Sequence, residues 1–289
     1  MALLGRGRNY PRFRARVEAI ENRLFRNSWP ARLAFKLGLQ NNIKTTNYPL
    51  KLRNYPEDVP SLKIGFLSDF HAGLVTHPKM IARSIAKIQV ENPDIILLGG
   101  DFVDFDPGFL DDVLRPLQKL QPPLGIFAVL GNHDLWSDDA TIQSELEAIG
   151  ITFLINEGVH LPAPFDGIYL CGLDEWFTGF PDSERAFANN GCVNIVLMHN
   201  PANYLDIKNR NFDVAFCGHT HAGQIALPFQ TPIVMPRDPY CRKYSYGKFK
   251  VGKNRQSNLI VTSGIGYHTL PFRFLAWPEV VVCTISGKK

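Results

Sequence analysis

The chain has no long hydrophobic run. No uncharged stretch approaches the ~20 residues that a helix needs to cross a bilayer, so no spanning helix is predicted. No compact apolar segment leads into a small-residue cleavage site, so no secretory signal is predicted either. Cysteine is sparse. The five residues at 171, 192, 217, 241 and 283 are odd in number and lack Cys-x-x-Cys spacing, so they read as small buried apolar residues in a reducing compartment. Charge is modest, near 20%, and 45% of the 289 residues are hydrophobic. That composition suffices for one sizeable core and requires no second domain.

The charge is unevenly placed. Residues 1–60 hold twelve Lys and Arg against four Asp and Glu, a net +8; the other 229 hold nineteen against twenty-three, a net −4. The basic part has a pattern. Phe13, Val17, Ile20 and Leu24 recur at helical spacing, with Phe25 and Trp29 alongside and Arg12, Arg14, Arg16, Arg23 and Arg26 between them. Pro30 interrupts, and Leu33, Phe35, Leu37 and Leu39 continue with Arg32 and Lys36. Residues 1–44 are therefore expected to form a basic amphipathic arm, and residues 45–289 the domain that carries the chemistry. Such an arm with Trp and Phe suits the plane of an anionic membrane surface. The plainer alternative is a helix packed on the domain with its arginines merely solvated. Nucleic acid is the weakest reading and is not expected as a partner, since basic character alone does not distinguish phosphates of lipid from those of DNA.

The chemistry gathers around Phe216-Cys217-Gly218-His219-Thr220-His221, where two histidines follow a short apolar run and a glycine. Alone, His-x-His is a weak signal, equally consistent with a polar turn. Four further clusters repeat the design. Ile64–Ser68 leads into Asp69-Phe70-His71, and Asp94–Gly100 into Asp101. Ile126–Leu130 leads into Gly131-Asn132-His133-Asp134, and Val193–Met198 into His199. Each run is short, apolar and bounded by Gly or Pro, as a buried strand would be. Ligands in α/β proteins gather at the carboxyl ends of strands. Five strand ends thus offer Asp69, His71, Asp101, Asn132, His199, His219 and His221 to one place. Cys217 reads as the end of a strand and not as a ligand.

Imidazole with carboxylate, and no thiolate, suits Mn, Fe or Zn. Seven ligands are too many for one closed tetrahedral site. They fit two divalent cations sharing one carboxylate, and Asp101 is the natural bridge. Two cations roughly 3.5–4 Å apart clamp the attacking and leaving oxygens of an in-line displacement, which is phosphoester chemistry.

Together, Asp-x-His (69–71), Gly-Gly-Asp (99–101), Gly-Asn-His-Asp (131–134), His199 and Gly-His-Thr-His (218–221) resemble the motif series of the calcineurin-like metallophosphoesterases, in that family's order. The likeness covers about residues 60–285. Gly218–Gln224, Ser263–Gly266, Pro271–Arg273 and Pro278-Glu279 resemble, more narrowly, the subgroup of YkuE- and YaeI-like phosphodiesterases and the UDP-2,3-diacylglucosamine pyrophosphatases of lipid A synthesis. The family likeness implies an α/β fold of two mixed sheets packed face to face and flanked by helices. It implies Asp69, His71 and His221 with Asp101 at one metal, and Asn132, His199 and His219 with Asp101 at the other. His133 would then donate a hydrogen bond or proton to the phosphoryl or leaving oxygen. Asp134 either orients that imidazole or caps the next helix.

Outside the motifs, helices are predicted over Thr76–Asn92, over Leu110–Leu120 with a break at Pro116, and over Thr141–Ile149. Strands are predicted at 151–155 and 167–172, and residues 45–60 read as a connection or edge strand. Arg273 is a candidate for holding a substrate phosphate by its planar donor fork, with His268 beside it. The aromatic loops around Trp176-Phe177 and Phe180, and from Phe272 to Trp277, are either core or an apolar rim.

The expected activity is hydrolysis of a phosphodiester or pyrophosphate bond in a lipid-linked substrate, with UDP-2,3-diacylglucosamine the most concrete candidate. Manganese is the first choice of cation, with Fe or Zn as alternatives, and the expected location is cytoplasmic, peripheral to the inner face of the membrane. The alternatives are a soluble phosphodiesterase acting on nucleotides and a non-catalytic scaffold, which would be expected to have lost at least one ligand.

Overall fold

β2 (Leu62–Leu67), β3 (Ile95–Leu98) and β4 (Ile126–Ala128) are the first three apolar runs, and they lie side by side in parallel register. Nearly every residue in them is buried, as parallel strands covered on both faces require. The computed structural model describes residues 5–10, 12–228, 231–236 and 238–288, with the side chains of residues 12, 13 and 254 excepted. Among these residues the first sheet has the order β1-β14-β2-β3-β4-β5, where β1 is Lys44–Leu52, β5 is Ile151–Phe153 and β14 is Glu279–Gly287. The second sheet comprises β6 (Glu157–His160), β7 (Ile168–Gly172), β8 (Val193–Leu197), β9 (Val214–Cys217), β12 (Gly247–Val251) and β13 (Ser257–Val261), in the order β12-β13-β9-β8-β7-β6. A short hairpin of β10 (Ala226–Leu227) and β11 (Thr231–Pro232) stands apart. Both sheets mix parallel and antiparallel pairs.

The sheets pack face to face. One apolar cluster takes Ile64, Phe66 and Leu97 from the first and Ile195, Val214 and Phe216 from the second. Phe66 and Phe216 meet across the gap with ring centroids 5.4 Å apart. α3 (Pro78–Val90), α4 (Asp111–Leu117) and α6 (Asp139–Ala148) cover the outer face of the first sheet. α3 buries Met80, Ile81, Ser84, Ile85 and Ile88, one stripe at helical spacing, and starts on His77 as N-cap with Pro78 in its first turn. The break expected at Pro116 does not divide α4. The helix includes Pro116 and ends one residue later, with Gln118 N still donating to Leu114 O (3.0 Å). The short helices α7 (Ser183–Ala186), α8 (Tyr204–Ile207) and α9 (Pro239–Lys243) lie among the segments over the second sheet's outer face. Four cysteines are buried as expected, but Cys192 is exposed in the turn before β8.

Residues 44–52 form an edge strand paired in parallel along their whole length with β14. Pro49 is tolerated there because an edge strand leaves one side unpaired. Before it come α1 (Arg12–Leu24) and α2 (Trp29–Lys36). Ile20, Leu24, Trp29, Leu33 and Leu37 remain exposed along these helices, as do Arg16, Arg23, Arg26, Arg32 and Lys36. Phe13, the first member of the predicted apolar stripe, lies outside the described side chains. Among the described residues no helix is long and apolar enough to cross a membrane.

Candidate metal centre

Every expected ligand lies just beyond the carboxyl end of a strand. Asp69 and His71 follow β2, Asp101 follows β3, and Asn132 opens α5 (Asn132–Trp136) after β4. His199 follows β8, and His219 and His221 follow β9. The backbone there is bent hard. Asp69, His71, Asp101, His219 and His221 have φ of 56°, 42°, 54°, 69° and 51°. The left-handed region costs a residue with a side chain roughly 1–2 kcal/mol, so these loops must be held from outside. Asp69 N donates to Gly100 O (2.9 Å), His71 N to Asp101 O (3.0 Å) and Gly218 N to His199 O (2.9 Å), which ties each loop to its neighbour. Close approach also demands glycine. A Cβ on Gly131 would stand 2.1 Å from Asp101 Oδ1, and one on Gly218 would stand 2.1 Å from Asp69 Oδ2.

The ligand atoms form two touching groups. In one, His71 Nε2 and His221 Nε2 face each other at 2.9 Å, with Asp69 Oδ1 3.5 Å from His221 Nε2. In the other, His199 Nε2 lies 3.1 Å from Asn132 Oδ1 and 3.2 Å from His219 Nδ1. Asp101 Oδ2 reaches both, 3.4 Å from His71 Nε2 and 3.2 Å from His199 Nε2, while its Oδ1 accepts from His133 N at 2.9 Å. One oxygen is thus free to be shared and the other is fixed by backbone.

Two observations show that these residues fit a pair of cations. Asp69 Oδ2 is buried and has no hydrogen-bond partner among the described residues, and a buried acceptor without a donor is rare in native proteins. The imidazoles are also oriented for ligation. His199 Nδ1 donates to Gly99 O (2.7 Å) and His71 Nδ1 to Asp104 Oδ1 (3.1 Å), which leaves Nε2 of each ring pointing inward. Electrostatics agree. Burial works to lower the pKa of His71, but hydrogen bonds with Asp101 and Asp104 outweigh it and raise it to about 9. Burial likewise opposes His199, and the Asp101 charge raises it to about 10. His221 is pushed the other way by burial, His71 and Arg273, which keeps it neutral.

His133 lies beside this pair, 7% exposed, with its ring centroid 4.6 Å from that of His71. Its Nδ1 is 2.6 Å from the main-chain oxygen of Asp104. A carbonyl only accepts, so Nδ1 carries the proton and Nε2 is the ring's remaining polar atom. Asp134 does not touch that ring, contrary to one expectation, and it does not cap α6, which Asp138 caps. Its buried carboxylate instead accepts from the amides of Asp101 (2.7 Å), Phe102 (2.8 Å), Val103 (3.3 Å) and Gly131 (2.9 Å). It staples the bridging loop to the start of α5, because four converging N–H groups outweigh one imidazole.

Arg273 is a second correction. It is expected from the sequence to hold a substrate phosphate, yet it is 5% exposed and commits its donors to the carbonyls of Gly266 (3.1 Å to Nε) and Ser263. Its Nη2 sits 3.0 Å from His221 Nδ1, so it shapes a ligand and leaves the substrate to others. His268 does come to the site, 3.0 Å from Asp104 Oδ1 through Nδ1. Asp104 itself is missed by the motifs. Its oxygen Oδ1 contacts His71 and His268 and lies 3.4 Å from His133 Nδ1. The signal for it is its place three residues beyond Asp101, on the loop that the bridging residue already marks.

Strand-end carboxylates and imidazoles set as two adjoining cation sites, with a free imidazole beside them, define a metal-dependent hydrolase of phosphoesters. A family model described as calcineurin-like phosphoesterase matches residues 62–223. The chain is 30% identical over 251 residues to the uncharacterized metallophosphoesterase YkuE of Bacillus subtilis, covering 85% of this chain and 86% of that protein. It is 33% identical over 235 residues to an uncharacterized metallophosphoesterase of Helicobacter pylori, covering 78% of this chain and 60% of that one. It is 30% identical over 223 residues to the phosphodiesterase YaeI of Escherichia coli, covering 75% and 79%. The chain belongs to the calcineurin-like phosphoesterase family.

The raised histidines give a measurable consequence. At pH 8 the metal-free protein holds protons on His71 (about 9) and His199 (about 10), and ligation must expel them. Calorimetric titration with Mn2+ in buffers of different ionisation enthalpy should therefore show about two protons released, with affinity rising as pH rises toward these pKa values. Zero release would contradict the assignment. Asp134→Ala strands four buried amides, each worth about 1–3 kcal/mol of desolvation. It should lower the urea midpoint sharply and abolish metal retention in a dialysed sample, although Asp134 ligates nothing.

Proposed function

We propose that this hydrolase cleaves a phosphodiester or pyrophosphate bond in a substrate with a lipid portion, working at a membrane face. The observation that carries the proposal is a cavity of about 470 Å³ opening directly on His219, His221 and His268. Ile225, Val234, Met235, Pro236 and Leu270 are among the residues of its wall beyond the histidines. Its rim continues to solvent through Val234 and Leu270, and Phe274 stands exposed nearby on the same loop. An apolar cavity beside a charged centre fits a substrate that joins a phosphate to an acyl chain. A smaller cavity of about 260 Å³ adjoins Asn132 and His219 on another side, walled by Trp136, Trp176 and Phe177. A flat ring stacks well there. An acylated sugar nucleotide and a soluble nucleotide diester share such a ring, so the larger cavity is what separates them. UDP-2,3-diacylglucosamine remains the most concrete candidate. The relative YaeI, named a phosphodiesterase, supports the diester class.

Asp69, His71, Asp101, Asn132, His199, His219 and His221 would hold two cations, which would supply a water of lowered pKa and neutralise charge on the phosphate; manganese is the first to try, since the N and O donors equally accept Fe or Zn. The chain's own residues do the rest. Asp101 shares one oxygen between the two groups and commits the other to the His133 amide. His133, with its Nδ1 proton given to Asp104 O, donates from Nε2 only as an imidazolium. Burial pushes its pKa well down, with Arg14 and His71 adding to the effect and the Asp101 and Asp104 carboxylates opposing it.

The membrane reading is supported by exposed Ile20, Leu24, Trp29 and Leu33, with Arg16, Arg23 and Arg26 exposed among them. Apolar side chains with cations between them match the interface of an anionic bilayer.

Purified protein with Mn2+ should turn over a detergent-solubilised UDP-linked acylated glucosamine faster than a soluble nucleotide diester, and His133→Ala should remove both activities. Preference for the soluble diester would overturn the lipid portion of the proposal. Protein mixed with phosphatidylglycerol vesicles should sediment with them in low salt and be released by ~0.5 M salt, as expected once the Debye length falls to a few ångströms. A doubly reversed Arg23→Glu, Arg26→Glu variant that sediments equally well would exclude the arm as the membrane contact.

A further inference from the structure

The amino-terminal segment does more than lie on the surface. Residues 6–9 run between the two loops that flank the centre. Arg6 pairs with Asp139 and Asp174, 2.8 Å from each. Gly7 N donates to Leu135 O (2.8 Å), Arg8 N to Thr178 O (2.9 Å) and Trp136 Nε1 to Arg8 O (2.9 Å). A Cβ on Gly7 would lie 2.6 Å from Leu135 O, so the backbone is laid flat against that loop. This strap delivers the first turn of α1 to the edge of the site.

Arg14 is the residue delivered. Only 12% of its side chain is exposed. Its guanidinium lies over the Phe105 ring at 4.1 Å and 3.4 Å from Asp104 Oδ1, and its Nη1 contacts His268 Nε2. Arginine only donates, so His268 Nε2 must accept, and the His268 proton therefore sits on Nδ1 and points at Asp104. Asp104 in turn orients a ligand, His71, through its carboxylate, and the substrate-side His133 through its main-chain oxygen. One cation thus fixes a chain of three contacts that ends on His133.

We propose that Arg14 is a positioning residue of the phosphoesterase site, and that the amino-terminal helix is part of the catalytic unit. Arg14 holds His268 and Asp104 in one arrangement, and through Asp104 it sets the ring of His133. Arginine is required because a planar fork reaches two acceptors at once, and lysine is a point charge that reaches one.

The test uses the full chain with both cations loaded. Arg14→Ala should lower kcat by about tenfold to hundredfold, the usual cost of losing a residue that orients a site from behind, with metal content and KM little changed. Arg14→Lys should recover only part of the loss. Asn22→Ala removes an exposed polar side chain from the same helix and should behave as wild type. The Arg14→Ala, His268→Gln pair should lose much less than the product of the single losses, because both lie on one path. If Arg14→Ala fails to fold, Arg14→Gln keeps the stem against Phe105 and serves in its place. Wild-type kcat in Arg14→Ala or Arg14→Gln at full metal occupancy would overturn the proposal. So would a loss that tracks only lost metal, a rise in KM alone, or full multiplicativity with His268→Gln.

Discussion

Asp101 is an ionised carboxylate with about 1% of its surface exposed, facing two imidazole nitrogens and no permanent positive charge. Burying an anion without compensation costs several kcal/mol. The protein offsets that cost partly with protons, by raising His71 and His199, and the ligand geometry offers the rest to cations. Much of the surrounding structure answers this one demand. Asp134 collects four amides to hold the Asp101 loop, Gly131 gives up a side chain to let it pass, and five of the seven ligands accept a left-handed backbone. The two apolar sheets provide the rigidity against which those bends are held.

A second layer of residues decides what the centre can act on. Asp104 links the ligand His71 to His268 through its carboxylate and to His133 through its main-chain oxygen, so ligation and substrate contact share one residue. Arg273 and Arg14 have different tasks. The first is committed to carbonyls and adds to the effect of burial and His71 in holding the pKa of His221 down; the second contacts Asp104 and His268 from another part of the chain. The helix carrying Arg14 turns Ile20 and Leu24 to solvent, so a single element touches both the site and whatever lies outside it.

The ligands were legible in the sequence because their signal is local. A buried parallel strand writes itself as four to six apolar residues, and the polar residue just past its carboxyl end is read directly, as with Ile95–Leu98 and Asp101. The helix 78–90 was legible for the same reason, through period and proline, whereas the edge strand 44–52 was read only as a connection or edge strand over 45–60. The misreadings concern direction. Arg273 reads from the sequence as a phosphate holder and Asp134 as orienting His133 or capping the next helix, and only the fold shows that backbone carbonyls and amides take up their polar atoms first. Arg14 was visible as one arginine among several in a basic stripe. Nothing in that stripe distinguishes the one that meets a residue 254 positions away. Asp104 lay between these cases, next to a residue already marked but without a motif of its own.

The placement of β14 bears on how the molecule is assembled. β1 pairs with β14, and β14 separates it from β2. During synthesis β2, β3, β4, β8 and β9, with all the ligands they carry, leave the ribosome before the strand that joins β1 to them exists. The strap and α1 lie upstream of β1, so the element that anchors their downstream end to the sheet comes last. All the donors of the centre are therefore synthesised before the strand that ties β1 to the sheet. Pairings this distant in sequence are slow to form. Cation capture at that stage would favour the strand-end loops in their bent form, ahead of the sheet that later holds them.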